Sequence, residues 1–180
     1  MEAGEAIRAQ LARQLESGRV HSGYLFSGPG SAPRDTALWF ARALACEARP
    51  AERSREAAAG PTRPCEACRS CRRSAGREEI PLDGTGKSGP LLRHVGDHPD
   101  LLWVERGADD TRVRIGQVRA LQAELRLRSN EGGPRVAVLA DAEWLNQESQ
   151  NALLRTLEEP PPRTTLVLVT ASAAGLLATV

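Results

Sequence analysis

Residues 23–44 read GYLFSGPGSAPRDTALWFARAL. Gly23-Tyr24-Leu25-Phe26 is an apolar, strand-like run, and Gly28-Pro29-Gly30 is a turn. Ala37-Leu38-Trp39-Phe40-Ala41-Arg42-Ala43-Leu44 follows with helical character. Strand, glycine-rich turn and helix, in that order, form the setting of a phosphate-binding loop. Glycines let backbone N–H groups approach phosphates, a lysine neutralises the outer phosphates, and a hydroxyl holds magnesium.

The positions that carry this chemistry are altered here. A working loop reads G-x-x-x-x-G-K-[ST]. With Gly28 first and Gly30 inside the turn, the second glycine is Pro33, the lysine is Arg34 and the hydroxyl is Asp35. Proline has no N–H and cannot reach positive φ. Arginine is bulkier than lysine and differently shaped. Asp35 sets an anion near the place of the phosphates. The loop therefore reads as vestigial, with no functional ATP binding expected. A second candidate, Gly84-Thr85-Gly86-Lys87-Ser88, has Pro81 at the first-glycine position and Gly89-Pro90 after it. It reads as a flexible insert loop.

The surrounding pattern is that of an α/β protein. Ile7, Leu11 and Leu15 share a helical face, and Gly18 ends the helix. Leu101–Val104, Val136–Leu139 and Thr165–Val169 read as strands. Ile115, Val118, Leu121 and Leu125 recur at helical spacing before a turn at Asn130–Pro134. Asn146 is the expected cap of a helix reaching about Glu159, stopped by Pro160-Pro161-Pro162. Continuous β-branched runs between helices predict a parallel sheet covered on both faces. Glu47–Asp97 has no clear period and is expected to lie outside the sheet, as an insertion.

The chain has 180 residues, 41% hydrophobic, 26% charged and 3% aromatic, with a net charge of +1. That suits a soluble domain with a Leu-, Val- and Ala-based core and no global field for nucleic acid or membrane. No apolar stretch reaches membrane-spanning length, and the N-terminus is charged and amphipathic. An intracellular, cytoplasmic protein is expected. All four cysteines fall into one pattern, Cys46 followed by Cys65-x-x-Cys68-x-x-Cys71. Four thiolates can enclose one structural zinc ion, and the same spacing also suits an iron–sulfur cluster. His94 and His98 read as surface or turn residues. Arg63, Arg69, Arg72, Arg73 and Arg77 surround the thiols. They admit a zinc-bearing nucleic-acid binder as another class, which the balanced charge opposes.

In a P-loop ATPase a second strand ends in Asp-Glu, for magnesium and for the attacking water. Here the strand ends in Ala140-Asp141, so that apparatus is also damaged. Leu145–Pro161, LNQESQNALLRTLEEPP, closely resembles a helix of the bacterial clamp-loader subunits, AAA+ proteins of the DNA polymerase III holoenzyme. His21–Phe26, the four cysteines, His98-Pro99-Asp100 and Thr165–Thr170 resemble further parts of that family. Thr170 falls at its sensor-1 position. The resemblance covers nearly the whole chain except roughly 76–93, and the Cys46–Cys65 spacing is longer than the family's.

The resemblance implies a P-loop NTPase-like (AAA+) sheet over residues 1–180, with a zinc-binding module and loop inserted at 46–97. The degenerate loop resembles the family's delta-prime branch. That branch implies a non-catalytic ring subunit assembling with gamma/tau and delta subunits to load the sliding clamp onto primed DNA. The parent complex has DNA polymerase (nucleotidyltransferase) activity. The alternative is an active gamma/tau-like ATPase with a divergent loop. The family's Ser-Arg-Cys motif after sensor 1 would begin near Ala178-Thr179-Val180. A truncated domain is therefore expected.

Overall fold

Apolar side chains alternate along the central strands, so each strand feeds two separate cores. In the computed structural model, described for residues 2–48, 64–76 and 79–176, five strands form one sheet in the order β1-β5-β4-β3-β2. The strands are β1 (Gly23–Ser27), β2 (Arg93–Val95), β3 (His98–Val104), β4 (Arg135–Leu139) and β5 (Thr164–Thr170). β1, β5, β4 and β3 pair in parallel, and β2 runs antiparallel at the β3 edge.

On one face α1 (Glu2–Ser17) and α2 (Ala32–Ala45) pack Leu11, Leu15, Phe40 and Leu44 against Leu101, Val136, Val138 and Val167. On the other, α4 (Ile115–Arg126) and α5 (Gln147–Glu158) pack Val118, Leu121 and Leu153 against Leu102, Val104, Leu139 and Leu166. A short α3 (Arg69–Arg73) lies in the cysteine segment. Each fully buried Leu or Val stabilises the fold by about 1.5–3 kcal/mol relative to exposure. This is the expected α/β sheet with helices on both faces. Ile7 remains 46% exposed, so only the C-terminal half of α1 meets the core. Asn146 caps α5 as expected, its side-chain oxygen accepting the Ser149 N–H at 2.9 Å.

One local expectation is corrected. Arg93–Val95 belongs to the sheet, although 47–97 reads as lying outside it. Three residues with one exposed His94 between buried Arg93 and Val95 are too short to show a period. Residues 84–88 form a loop, as expected, and Asp83 closes it. Asp83 accepts hydrogen bonds from the N–H groups of Thr85, Lys87 and Ser88 and from the Thr85 hydroxyl. Those donors, Ser88 foremost, hold the Asp83 carboxyl well below the usual range.

The start of β3 organises one end of the sheet. Asp100 is fully buried and accepts from the Ser129 hydroxyl at 2.8 Å and the N–H groups of Asn130 and Glu131 at 3.0 and 2.9 Å. Arg135 lies 3.4 Å from the same carboxylate, and its Nη1 donates to the carbonyls of Glu124 and Leu127 at the end of α4. Burial opposes ionisation of Asp100. The Asn130 and Glu131 N–H groups, the Ser129 hydroxyl and Arg135 outweigh it and keep the group anionic. Asp100→Asn would leave Arg135 buried and uncompensated. The expected loss is about 3–5 kcal/mol, read from urea unfolding; a loss below about 1 kcal/mol would contradict this account.

Candidate metal centre and the loop after β1

The turn after β1 leads directly into α2, and several of its polar groups are engaged within the protein. Gly30 sits at φ 71°, the left-handed region that favours glycine, and α2 begins at Ala32. Pro33 falls in the first helical turn, where a missing N–H and a fixed φ cost nothing. Ser31 donates to the Asp35 carboxylate at 2.9 Å, and Thr36 donates back to the Ala32 carbonyl at 2.8 Å. Both hydroxyls are thus used inside the helix. Gly28 donates its N–H to the Thr170 carbonyl at 3.2 Å, tying the loop to the end of β5.

Arg34, at the lysine position, turns across the strand ends. It forms an ion pair with Glu105 just past β3, lies 3.8 Å from Asp141, and stands 5.2 Å from the Trp103 ring. Glu105 also pairs with Arg93 and accepts the Trp103 indole N–H at 2.8 Å. No motif marks Glu105, which is why the sequence reading missed it. Ala140 is fully buried and donates its N–H to the Val104 carbonyl at 2.8 Å. Asp141 has φ 60° and accepts the Arg106 N–H at 3.2 Å. The Thr170 hydroxyl donates to the Ser172 carbonyl at 2.8 Å and accepts the Ser172 N–H at 3.1 Å. Gly28, Arg34, Asp141 and Thr170 therefore gather at the C-terminal ends of parallel strands, where open α/β sheets bind ligands.

The cysteines converge. The sulfurs of Cys46, Cys65, Cys68 and Cys71 all lie within 4.8 Å of one another, and Cys65 and Cys71 are 3.9 Å apart. Thiolates about 2.3 Å from one zinc ion form a tetrahedron with edges of about 3.8 Å, so the set is compatible with structural zinc. An iron–sulfur cluster must fit several irons and sulfides between its thiolates, which this spacing does not suit. Cys46 comes from the end of α2, and Cys68 caps α3. Cys65 accepts the Cys68 N–H at 3.3 Å, and Cys68 accepts the Cys71 N–H at 3.4 Å. Burial disfavours the Cys65 thiolate, but the N–H groups of Cys68 and Ala67 prevail and bring it to about 7. Burial raises Cys46 and Cys71. A bound cation would supply the charge that those two thiolates need.

His98 is not a surface residue. It is 3% exposed, and burial holds its pKa below the ordinary value. Nδ1 accepts the Asp100 N–H at 3.2 Å, which leaves Nε2–H to donate to the Ser70 hydroxyl at 2.8 Å. His98 thus docks the cysteine module onto β3. Around the thiols, Arg69 and Arg73 both pair with Glu131. Arg63 and Arg77 lie outside the described residues. Gly96, at φ 57°, sits under the module, and a Cβ there would come within 2.3 Å of the Arg73 carbonyl.

The parallel sheet, its two helical layers and the strand–loop–helix turn define a P-loop domain of the AAA+ kind. Residues 4–82 and 83–180 match the family described as DNA polymerase III, delta subunit, and the chain belongs to that family. It is 34% identical over 173 residues to the DNA polymerase III subunit delta' of Yersinia pestis, covering 94% of this chain and 42% of that protein. It is 29% identical over 171 residues to the Bacillus subtilis delta' subunit, again covering 94% and 42%. The chain spans less than half the length of these relatives. A solved structure of a DNA polymerase III gamma subunit-related protein from Thermotoga maritima shares the fold. Its TM-score is 0.52 at 16% identity, covering 96% of this chain and 43% of that one. No described helix is long and apolar enough to cross a membrane.

Gly96→Ala is expected to lower stability by about 1–3 kcal/mol through the left-handed backbone and the clash with Arg73. Thermal unfolding of the metal-loaded protein measures it; an unchanged transition would remove Gly96 from the docking account.

Proposed function

We propose that this chain works as a clamp-loader subunit of the delta-prime kind, a scaffold in the ring and not an ATPase. One observation carries the reading: Arg34, at the position of the phosphate-loop lysine, is already paired with Glu105, with Asp141 3.8 Å away. Pro33 removes an N–H, and Asp35 adds an anion beside it, so the loop opposes a triphosphate on three counts. Membership in the polymerase III family supports the setting. In that setting the chain assembles with gamma/tau and delta subunits, and the complex opens the sliding clamp and loads it onto primed DNA in the cytoplasm. The four cysteines hold a structural zinc ion that ties the module to the end of α2.

Titration of ATP with magnesium into the purified protein tests the scaffold reading. No saturable heat is expected up to millimolar nucleotide; micromolar binding would overturn it in favour of an active, gamma/tau-like ATPase. Metal analysis tests the second part. Zinc at about one equivalent per chain is expected, lost in Cys71→Ser, with the thermal transition lowered on chelation. A brown protein with visible absorbance would instead assign the thiols to iron and sulfide.

A further inference from the structure

Glu105 receives three donors from three elements. Arg34 reaches it from the first turn of α2, Arg93 from the edge strand β2, and the Trp103 indole N–H from β3 at 2.8 Å. Its side chain is only 14% exposed, and that of Arg93 only 8%. The two guanidinium carbons stand 5.2 and 5.4 Å from the Trp103 ring, which holds both forks near one oxygen pair. Two arginine forks plus a neutral N–H converging on one anion is how proteins hold phosphate and carboxylate ligands. An isolated surface ion pair needs none of this convergence.

The location matters as much as the donors. The carboxylate lies beside the remnant loop, on the guanidinium that occupies the lysine position, with Asp141 on its far side at 3.8 Å. We propose that Glu105 is the resident ligand of a latent oxyanion site built by Arg34, Arg93 and the Trp103 indole. An internal carboxylate occupies the donors that an external phosphate would otherwise use. This rests on the scaffold reading above and deepens it. The loop is silent because its cation is already engaged, and not only because lysine has been lost. Arg93 keeps a second partner, Glu79, at 2.8 Å, but that carboxylate is 65% exposed and competes weakly with an incoming anion.

Inorganic pyrophosphate is the probe, measured by calorimetry and by indole fluorescence in the wild type, Glu105→Gln and Glu105→Asp. Wild type is expected to show no saturable binding at millimolar concentration. Glu105→Gln removes the charge, keeps the shape, and is expected to gain affinity about tenfold or more. Glu105→Asp withdraws the carboxylate from Arg34 and is expected to gain less. Adding Arg34→Ala to Glu105→Gln should abolish the gain. A cooperatively folded Glu105→Gln that binds no better than wild type overturns this inference and leaves the scaffold reading standing. If that variant does not fold, a folded but silent Glu105→Asp overturns it equally. Saturable micromolar binding by the wild type overturns both.

Discussion

Helix α2 is fixed at both ends by side-chain chemistry. At its first turn Arg34 is held by Glu105, and at its last residue the chain passes directly into Cys46, one of the four clustered thiols. Its 14 residues span about 21 Å, from the strand ends where a nucleotide would lie to the cysteine module. Phe40 and Ala41, both fully buried, press the middle of the helix onto the sheet. In a nucleotide-driven switch the loop end of this helix must answer to the ligand. In this structure the loop end is paired with Glu105, and the opposite end leads into the thiol cluster.

Several polar contacts join the module to the rest. Arg42 on α2 donates to the Ser74 hydroxyl at 3.3 Å and to Glu66 at 2.5 Å. His98 meets Ser70, Arg73 meets the Asp97 carbonyl at 2.7 Å, and Glu131 pairs with Arg69 and Arg73. Glu131 in turn gives its N–H to Asp100, whose carboxylate faces Arg135 and the end of α4. One continuous chain of polar contacts thus runs from the arginines of the cysteine module to the far helical layer. Such a chain is sensitive to its weakest member, because each buried group left without a partner costs about 1–3 kcal/mol. This explains why His98-Pro99-Asp100 lies inside a strand. His98 and Asp100 must be held rigidly to reach two different partners, and Pro99 falls before the register with β4 begins at Leu101.

Much of this was legible in the sequence. β4 and β5 are continuous apolar runs because both their faces are covered, and the Asn146 cap and the strand–turn–helix at Gly23–Leu44 are local signals. The cysteine spacing announced a cluster before any distance was known. What stayed hidden depends on contacts between distant segments. β2 is too short to show alternation. Glu105 looks like any charged residue after a strand, until Arg34 and Arg93 are seen to meet on it. His98 reads as a turn residue unless Ser70, far off in the chain, is known to lie above it. The 84–88 turn carries glycines and a lysine, yet it is closed by Asp83, which belongs to no motif.

A loop that binds phosphate must hold its lysine, hydroxyl and amides poised and partly unsatisfied, and that poise costs stability until the ligand arrives. Here the polar side chains around the loop have each found an internal partner. Ser31 has Asp35, Thr36 has the Ala32 carbonyl, Arg34 has Glu105, and the Thr170 hydroxyl has Ser172. The substitutions therefore act together. Asp35 in place of a hydroxyl would repel phosphate, but at a helix N-terminus it favours the dipole and gives Ser31 a partner. Arginine in place of lysine is long enough to cross the strand ends and planar enough to lie near Trp103. The contacts that Arg34 makes with Glu105 thus join the first turn of α2 to the end of β3.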